Sequence, residues 1–179
     1  MNVYRPRGRV WQLAAPPSAV VSLADMKEHL RIHHADDDDQ IVTAEAGAVA
    51  MIERFLQRAL IARTAVLRLP GLPIGVVPVE LPGGRVATLT SVIADGTTIS
   101  GATVVGDSPA LLVPSSDWPS VEGEGFPVVV TYEVGFATVP ADIVVAVKMV
   151  AEALFYRHDG GPMSAAVHSL LDRHRIAAL

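Results

Sequence analysis

Four consecutive aspartates, Asp36 to Asp39, and six histidines are the residues of this chain best suited to chemistry. A calcium loop needs ligands at alternating positions, a central glycine and a distal glutamate. Here the aspartates are contiguous and no such glycine follows. The run reads instead as a solvated helix start, where acidic groups suit the positive end of the dipole. His33 and His34 are adjacent, His168 and His174 are six apart, and no His-Glu-x-x-His occurs. Ser116-Asp117 could be paired with a distant histidine only by arithmetic, since no orienting partner is in sight. Gly-x-Ser-x-Gly is absent. Gly123-Glu-Gly125 lacks the Gly-Lys-Ser/Thr of a phosphate loop. The chain has no cysteine, which removes thiol catalysis, disulfides and Cys-type metal sites. The reading is no catalytic residue, no metal ligand, no cofactor and no enzyme.

The elements around these residues describe a scaffold. Ser22, with Asp25 three residues on, makes a variant capping box ahead of Leu23, Met26 and Leu30. The first helix is predicted over Ser22 to Ile32. The second is predicted over Asp37 to Leu60, where Ile41, Ala44, Ala48, Ile52, Phe55 and Ala59 step by three and four. At Thr64 the period changes to that of strands. Thr64 to Leu69, Val76 to Leu81, Arg85 to Ile93, Thr97 to Val105, Ala110 to Val113 and Pro127 to Val134 are read as extended, with Asp95-Gly96 as a hairpin turn. Helix returns after Pro140, which fits a first helical position. Ile143, Ala146, Val147, Val150, Ala153 and Leu154 continue its period. Ile52 and Phe55 are expected to pack on Val147 and Val150. A last apolar stripe, Val167, Leu170 and Leu171, follows Asp159-Gly160-Gly161-Pro162.

The fold class read from this order is α+β. It is mainly an α-helical bundle of about four helices, with a small antiparallel β-sheet inserted between the second and third. Three segments are expected: an extended N-terminal arm, 1–19; a single domain, 20–160, with its sheet at about 64–134; and a C-terminal partner-binding segment, 161–179.

Composition narrows the function. Half of the 179 residues are hydrophobic and 18% are charged, so a packed core rather than disorder is expected. A net charge of −5 disfavours a dedicated nucleic-acid binder. No apolar stretch follows Arg5, Arg7 and Arg9, so the start is not read as a signal peptide. The run Ile143 to Val147 is far short of a membrane span, and no membrane partner is expected.

The ordered set of segments resembles the head–tail connector, or adaptor, family of long-tailed bacteriophages and phage-like gene transfer agents. Ser22-Leu-Ala-Asp-Met-Lys-Glu-His-Leu-Arg-Ile32 looks like that family's opening helix. Asp36 to Ile41 looks like its acidic turn into a long helix. Trp118-Pro119, Val128 to Phe136 and Val139-Pro-Ala-Asp-Ile143 look like its passage from strand to final helices. Ala146 to Arg157 looks like its penultimate helix. The likeness runs over about residues 16 to 160.

The resemblance implies a structural virion neck protein. It would form a ring, usually dodecameric, dock on the portal of a DNA-filled head, line the DNA channel and carry the tail. The implied partners are the portal protein, neighbouring adaptor subunits, the next neck or tail component (stopper or tail terminator), and DNA passing without sequence readout. The implied place is the neck of a virion or phage-like particle, reached from the bacterial host cytoplasm. No cofactor and no catalytic residue are implied.

Two segments carry the site expectations. Val167, Leu170, Leu171, Arg173, His174 and Arg175 are read either as a portal-binding helix or as one more core helix. Arg5, Arg7, Arg9 and Trp11 are read either as a disordered arm or as one that orders against a neighbouring subunit or partner, with phosphate contact a lesser option. The competing function classes are a nucleic-acid-binding accessory protein and an enzyme of unrecognised type.

Overall fold

The computed structural model describes residues 3–121, 125–157 and 161–175. The Gly123-Glu-Gly125 loop (except Gly125), the Asp159-Gly160 part of the glycine hinge and the tail beyond Arg175 lie outside the described residues.

The chain divides into two compact units. The helical unit is built from the described residues of 16–61 and 136–178, the β unit from those of 1–15 and 62–135.

In the helical unit, α1 spans Leu23–Leu30 and starts where the sequence marks it. The Ser22 hydroxyl accepts the Asp25 backbone N–H at 3.1 Å and donates to the Asp25 carboxylate at 2.6 Å. The helix stops because Arg31 turns left-handed, at φ 58°. α2 spans Asp38–Leu56, and Gln57, at φ 56°, ends it in the same way. α3 spans Ala141–Phe155 behind Pro140, and α4 spans Ala165–Leu171 behind Ser164, whose hydroxyl accepts the Val167 N–H at 3.4 Å. A short 3-10 turn, Asp172–His174, follows. The core joins Met26 and Leu30 of α1, Ile41, Ala48, Ile52 and Leu56 of α2, Ile143, Ala146, Val147 and Val150 of α3, and Val167 and Leu171 of α4. Phe55 is half-buried at its margin.

The β unit holds two sheets. Five strands lie in the order β1-β2-β8-β4-β5, where β1 is Val10–Leu13, β2 Arg63–Leu69, β4 Val86–Ala94, β5 Thr97–Thr98 and β8 Val128–Val134. Three strands lie in the order β3-β7-β6, where β3 is Val79–Leu81, β6 Thr103–Val105 and β7 Ala110–Val113. All pairs are antiparallel. β2 pairs with β8 from Arg63↔Val134 to Leu69↔Val128. Alternation sends Ala65, Leu67, Leu69, Val128, Val130, Tyr132 and Val134 inward. Asp95 and Gly96, at φ 48° and 76°, make the tight turn between β4 and β5.

The expected fold class needs correction. The protein is not mainly a helical bundle: the described residues form four helices and eight strands in two sheets, and are 31% helical and 26% strand. Nor is the β structure one insertion between the second and third helices, because β1 precedes α1 and pairs with β2. The physical reason is that these strands run from two to nine residues. Such segments carry weak local signals and gain stability from partners far along the chain.

Candidate functional site

Among the described residues no group of three or more His, Cys, Asp or Glu is placed to hold a metal ion. Asp36 to Asp39 make the entry to α2. Asp38 pairs with Lys27 at 2.6 Å, and the His34 ring lies 3.8 Å from Asp36 and 3.6 Å from Asp37. What the fold offers is therefore a set of surfaces, best described at the arm, the tail and a cleft on the helical unit.

The arm residues meet the β unit. Tyr4 bridges Val79: its N–H donates to the Pro78 carbonyl at 2.8 Å, and its carbonyl accepts the Glu80 N–H at 3.3 Å. Arg5 forms an ion pair with Glu80, and Arg9 comes within 4.0 Å of the same carboxylate. Trp11 sits on β1 opposite Leu67, half-buried, with its ring against Gly83. A Cβ on Gly83 would fall 2.9 Å from that ring, and its φ of 99° suits only glycine. Arg7 is exposed, is flanked by Gly8, and has no ion pair among the described residues. Burial raises the Tyr132 phenol pKa, against the opposing pull of Trp11 and Arg9, so its hydroxyl stays protonated and donates to the Pro82 carbonyl at 3.0 Å.

The tail residues split by side. Val167 and Leu171 are 1% and 0% exposed, inside the helical core, and Leu170 packs partly against it. Arg173 and His174 converge on Asp142 in the first turn of α3. The Arg173 Nε and His174 Nε2 atoms lie 2.7 Å and 2.6 Å from one carboxylate oxygen, and Arg173 adds a second nitrogen. Burial works against that charge. The bonds from His174 and Arg173 overcome it and lower the Asp142 pKa to about 2. Arg175 lies over the Phe55 ring at 5.1 Å, and His168 meets the same ring edge-on at 4.8 Å. The tail as described is thus fastened to its own helical unit by core contacts, an ion cluster and ring contacts.

Two features had no reading in the sequence. Glu45, buried mid-helix in α2, accepts the backbone N–H groups of Val20 and Val21 at 2.8 and 3.1 Å, which fixes the chain entering α1. A lone glutamate on the apolar side of a helix was the available signal. The second is a cleft of about 490 Å³ between α2 and α3. Its lining includes Asp39, Thr43, Ala44, Gly47, Leu154 and Phe155, and Arg157 also borders it. Gly47 was its signal: glycine inside a helix costs about 0.5–1 kcal/mol against alanine, and a Cβ there would press Leu154 at 3.3 Å.

Solved structures share this fold. A chain from the neck of an empty gene transfer agent particle, computed with C6 symmetry, matches with a TM-score of 0.80 and 25% identity, over 95% of this chain and 97% of that one. A chain from the neck of the native particle, computed with C12 symmetry, matches at 0.74 and 26%, over 94% and 97%. A chain from the virion of the native particle matches at 0.74 and 24%, over 94% and 96%. No protein-family model and no curated protein matches. Over nearly its whole length the chain is similar to neck proteins of gene transfer agent particles, and the sequence resemblance to the head–tail connector family extends to the fold.

Proposed function

We propose that this chain is a structural neck protein, a ring-forming head–tail connector that docks on the portal of the DNA-filled head, lines the DNA channel and carries the next neck or tail component. The observation that carries the reading is the match over 95% of the chain to a gene transfer agent neck protein. The symmetric neck structures support a ring of identical subunits, since a symmetric neck repeats one contact around the axis. DNA passes without sequence readout; a net charge of −5 gives little general attraction for phosphate.

In this reading the partner surfaces are the outward parts of the two expected segments. Arg7 of the arm reaches a neighbouring subunit or partner. The exposed Arg173 and Arg175, beside Leu170, meet the portal, while Val167 and Leu171 anchor α4. The experiment is particle fractionation with the full-length chain carrying a small epitope tag. Co-purification with DNA-filled particles at a fixed number of copies per particle is expected. A chain that remains wholly in the lysate while particles assemble without it overturns the proposal.

A further inference from the structure

The arm, residues 3–14, is held by the β unit. β1 lies at the edge of the five-stranded sheet, joined to β2 by four residue pairs. Tyr4 reaches the other sheet through its bridge to Val79, and Arg5 pairs with Glu80 of β3. The Trp11 ring lies over Gly83. The arm thus straps the two sheets together and fits both. Its tether is of another kind. The Ala14 N–H donates to the Thr64 carbonyl at 2.9 Å, in the β unit. The Val20 N–H is fixed by Glu45 at 2.8 Å, in the helical unit. Between them residues 15–19 read Ala-Pro-Pro-Ser-Ala, and all are exposed. Paired prolines keep such a link extended, at ~3.1 Å per residue and so about 15 Å in all.

The seat of the arm, on β2 and β3, comes only after α1 and α2 have been passed. An extended link therefore joins the arm to its own helical unit, while its complementary surface is repeated on every copy. A ring also needs area between copies. Exposed large apolar residues such as Val42, Val105 and Val145 stand apart on α2, β6 and α3. They supply little of the ~1,200–2,000 Å² that a stable interface buries. An exchanged arm supplies area from surfaces already complementary, because each contact made within one copy is remade unchanged with the next.

We infer that in the assembled ring the arm of each copy leaves its own β unit and seats on that of the next copy, along β2 and against Val79, Glu80 and Gly83. The inference rests on the ring reading and deepens it by naming the segment that joins the copies. The contacts are the same in both arrangements, so proximity decides between them. Copies held side by side offer the seat at an effective concentration in the millimolar range. When every arm passes in one direction, closing the ring leaves no seat empty.

The chain has no native cysteine, so introduced cysteines report the arm alone. Gln12 and Val66 stand directly opposite on β1 and β2, at the ~4.5–5.5 Å of antiparallel partners, which a disulfide can bridge. The full-length chain with Gln12→Cys and Val66→Cys, oxidised as an isolated monomer, should close a bridge within itself. The same variant is supplied to particle-forming cells lacking the wild-type copy, and the purified particles are oxidised. On a denaturing non-reducing gel a ladder of bands at multiples of the chain mass is expected. Particles whose chain is bridged only within itself, or keeps its thiols free, overturn the exchange and leave the ring reading standing. Wild-type chain absent from particles overturns both. A second measurement uses one cysteine per chain, so that no internal bridge can form. Gln12→Cys and Val66→Cys chains with different epitope tags are supplied together. A dimer band carrying both tags is expected from oxidised particles, and none when either chain is supplied alone. Particles that hold both chains without that band count against the exchange in the same way.

Discussion

Asp142 shows how one carboxylate can fasten a chain end. It stands in the first turn of α3, where the helix dipole already favours negative charge, and receives both Arg173 and His174. Its folded pKa of about 2 lies below the ordinary aspartate value of 3.8. Folding therefore favours the charged form. The stability this adds is present above about pH 4 and is lost as pH falls through about 2. Asp142→Asn should cost about 1.5–3 kcal/mol at pH 7, the range for hydrogen bonds to charged groups. Near pH 2 mutant and wild type should converge. Urea unfolding at both values checks this, and a difference that persists undiminished at pH 2 would mean the cluster acts through packing instead.

At the scale of elements, α4 is the informative case. Seven residues are too few to hold a helix in water. Its order comes from Val167 and Leu171 in a core shared with α2 and α3, and from the Ser164 cap. Leu171→Ala should cost about 2–5 kcal/mol, the range for emptying a fully buried leucine site. Thermal and urea melts of the full-length variant measure it. Unchanged stability would mean that α4 leaves the helical unit in solution and its stripe is available to a partner. The β unit makes the parallel point: β1 gains its place from four residue pairs with β2, not from its own propensity.

For the whole molecule the question is when identical copies associate. The exposed large apolar groups among the described residues, such as Val42, Ile74, Val105 and Val145, lie on separate elements. Single exposed residues on separate elements supply little of the ~1,200–2,000 Å² that a stable interface buries. The purified chain should therefore sediment as a monomer or weak oligomer at micromolar concentration and form rings when portal is added, because a template supplies high effective concentration. Sedimentation velocity with and without portal checks this. A closed ring that persists well below micromolar concentration without portal would show that subunit contacts suffice.

Local chemistry made part of this protein legible in its sequence. Ser22 and Asp25 marked the start of α1, Pro140 the approach to α3, and Asp95-Gly96 a hairpin, because caps and turns depend on residues a few positions apart. Alternation exposed β2 and β8, and the 3.6 period exposed the inner faces of α2 and α3. The same patterns left open what covers each face. Val167 and Leu171 form a stripe that reads alike whether a portal or the chain's own helices lie against it, and folding put it in the core. The balance of helix and strand was missed because pairings such as Val10↔Arg68 and Val86↔Val134 join residues about fifty apart. Asp142 with Arg173, Glu45 with Val20 and Val21, and the cleft between Gly47 and Leu154 are meetings of distant residues. Periodicity states that a face is buried; which distant surface buries it is settled when loops close and side chains compete for the same space.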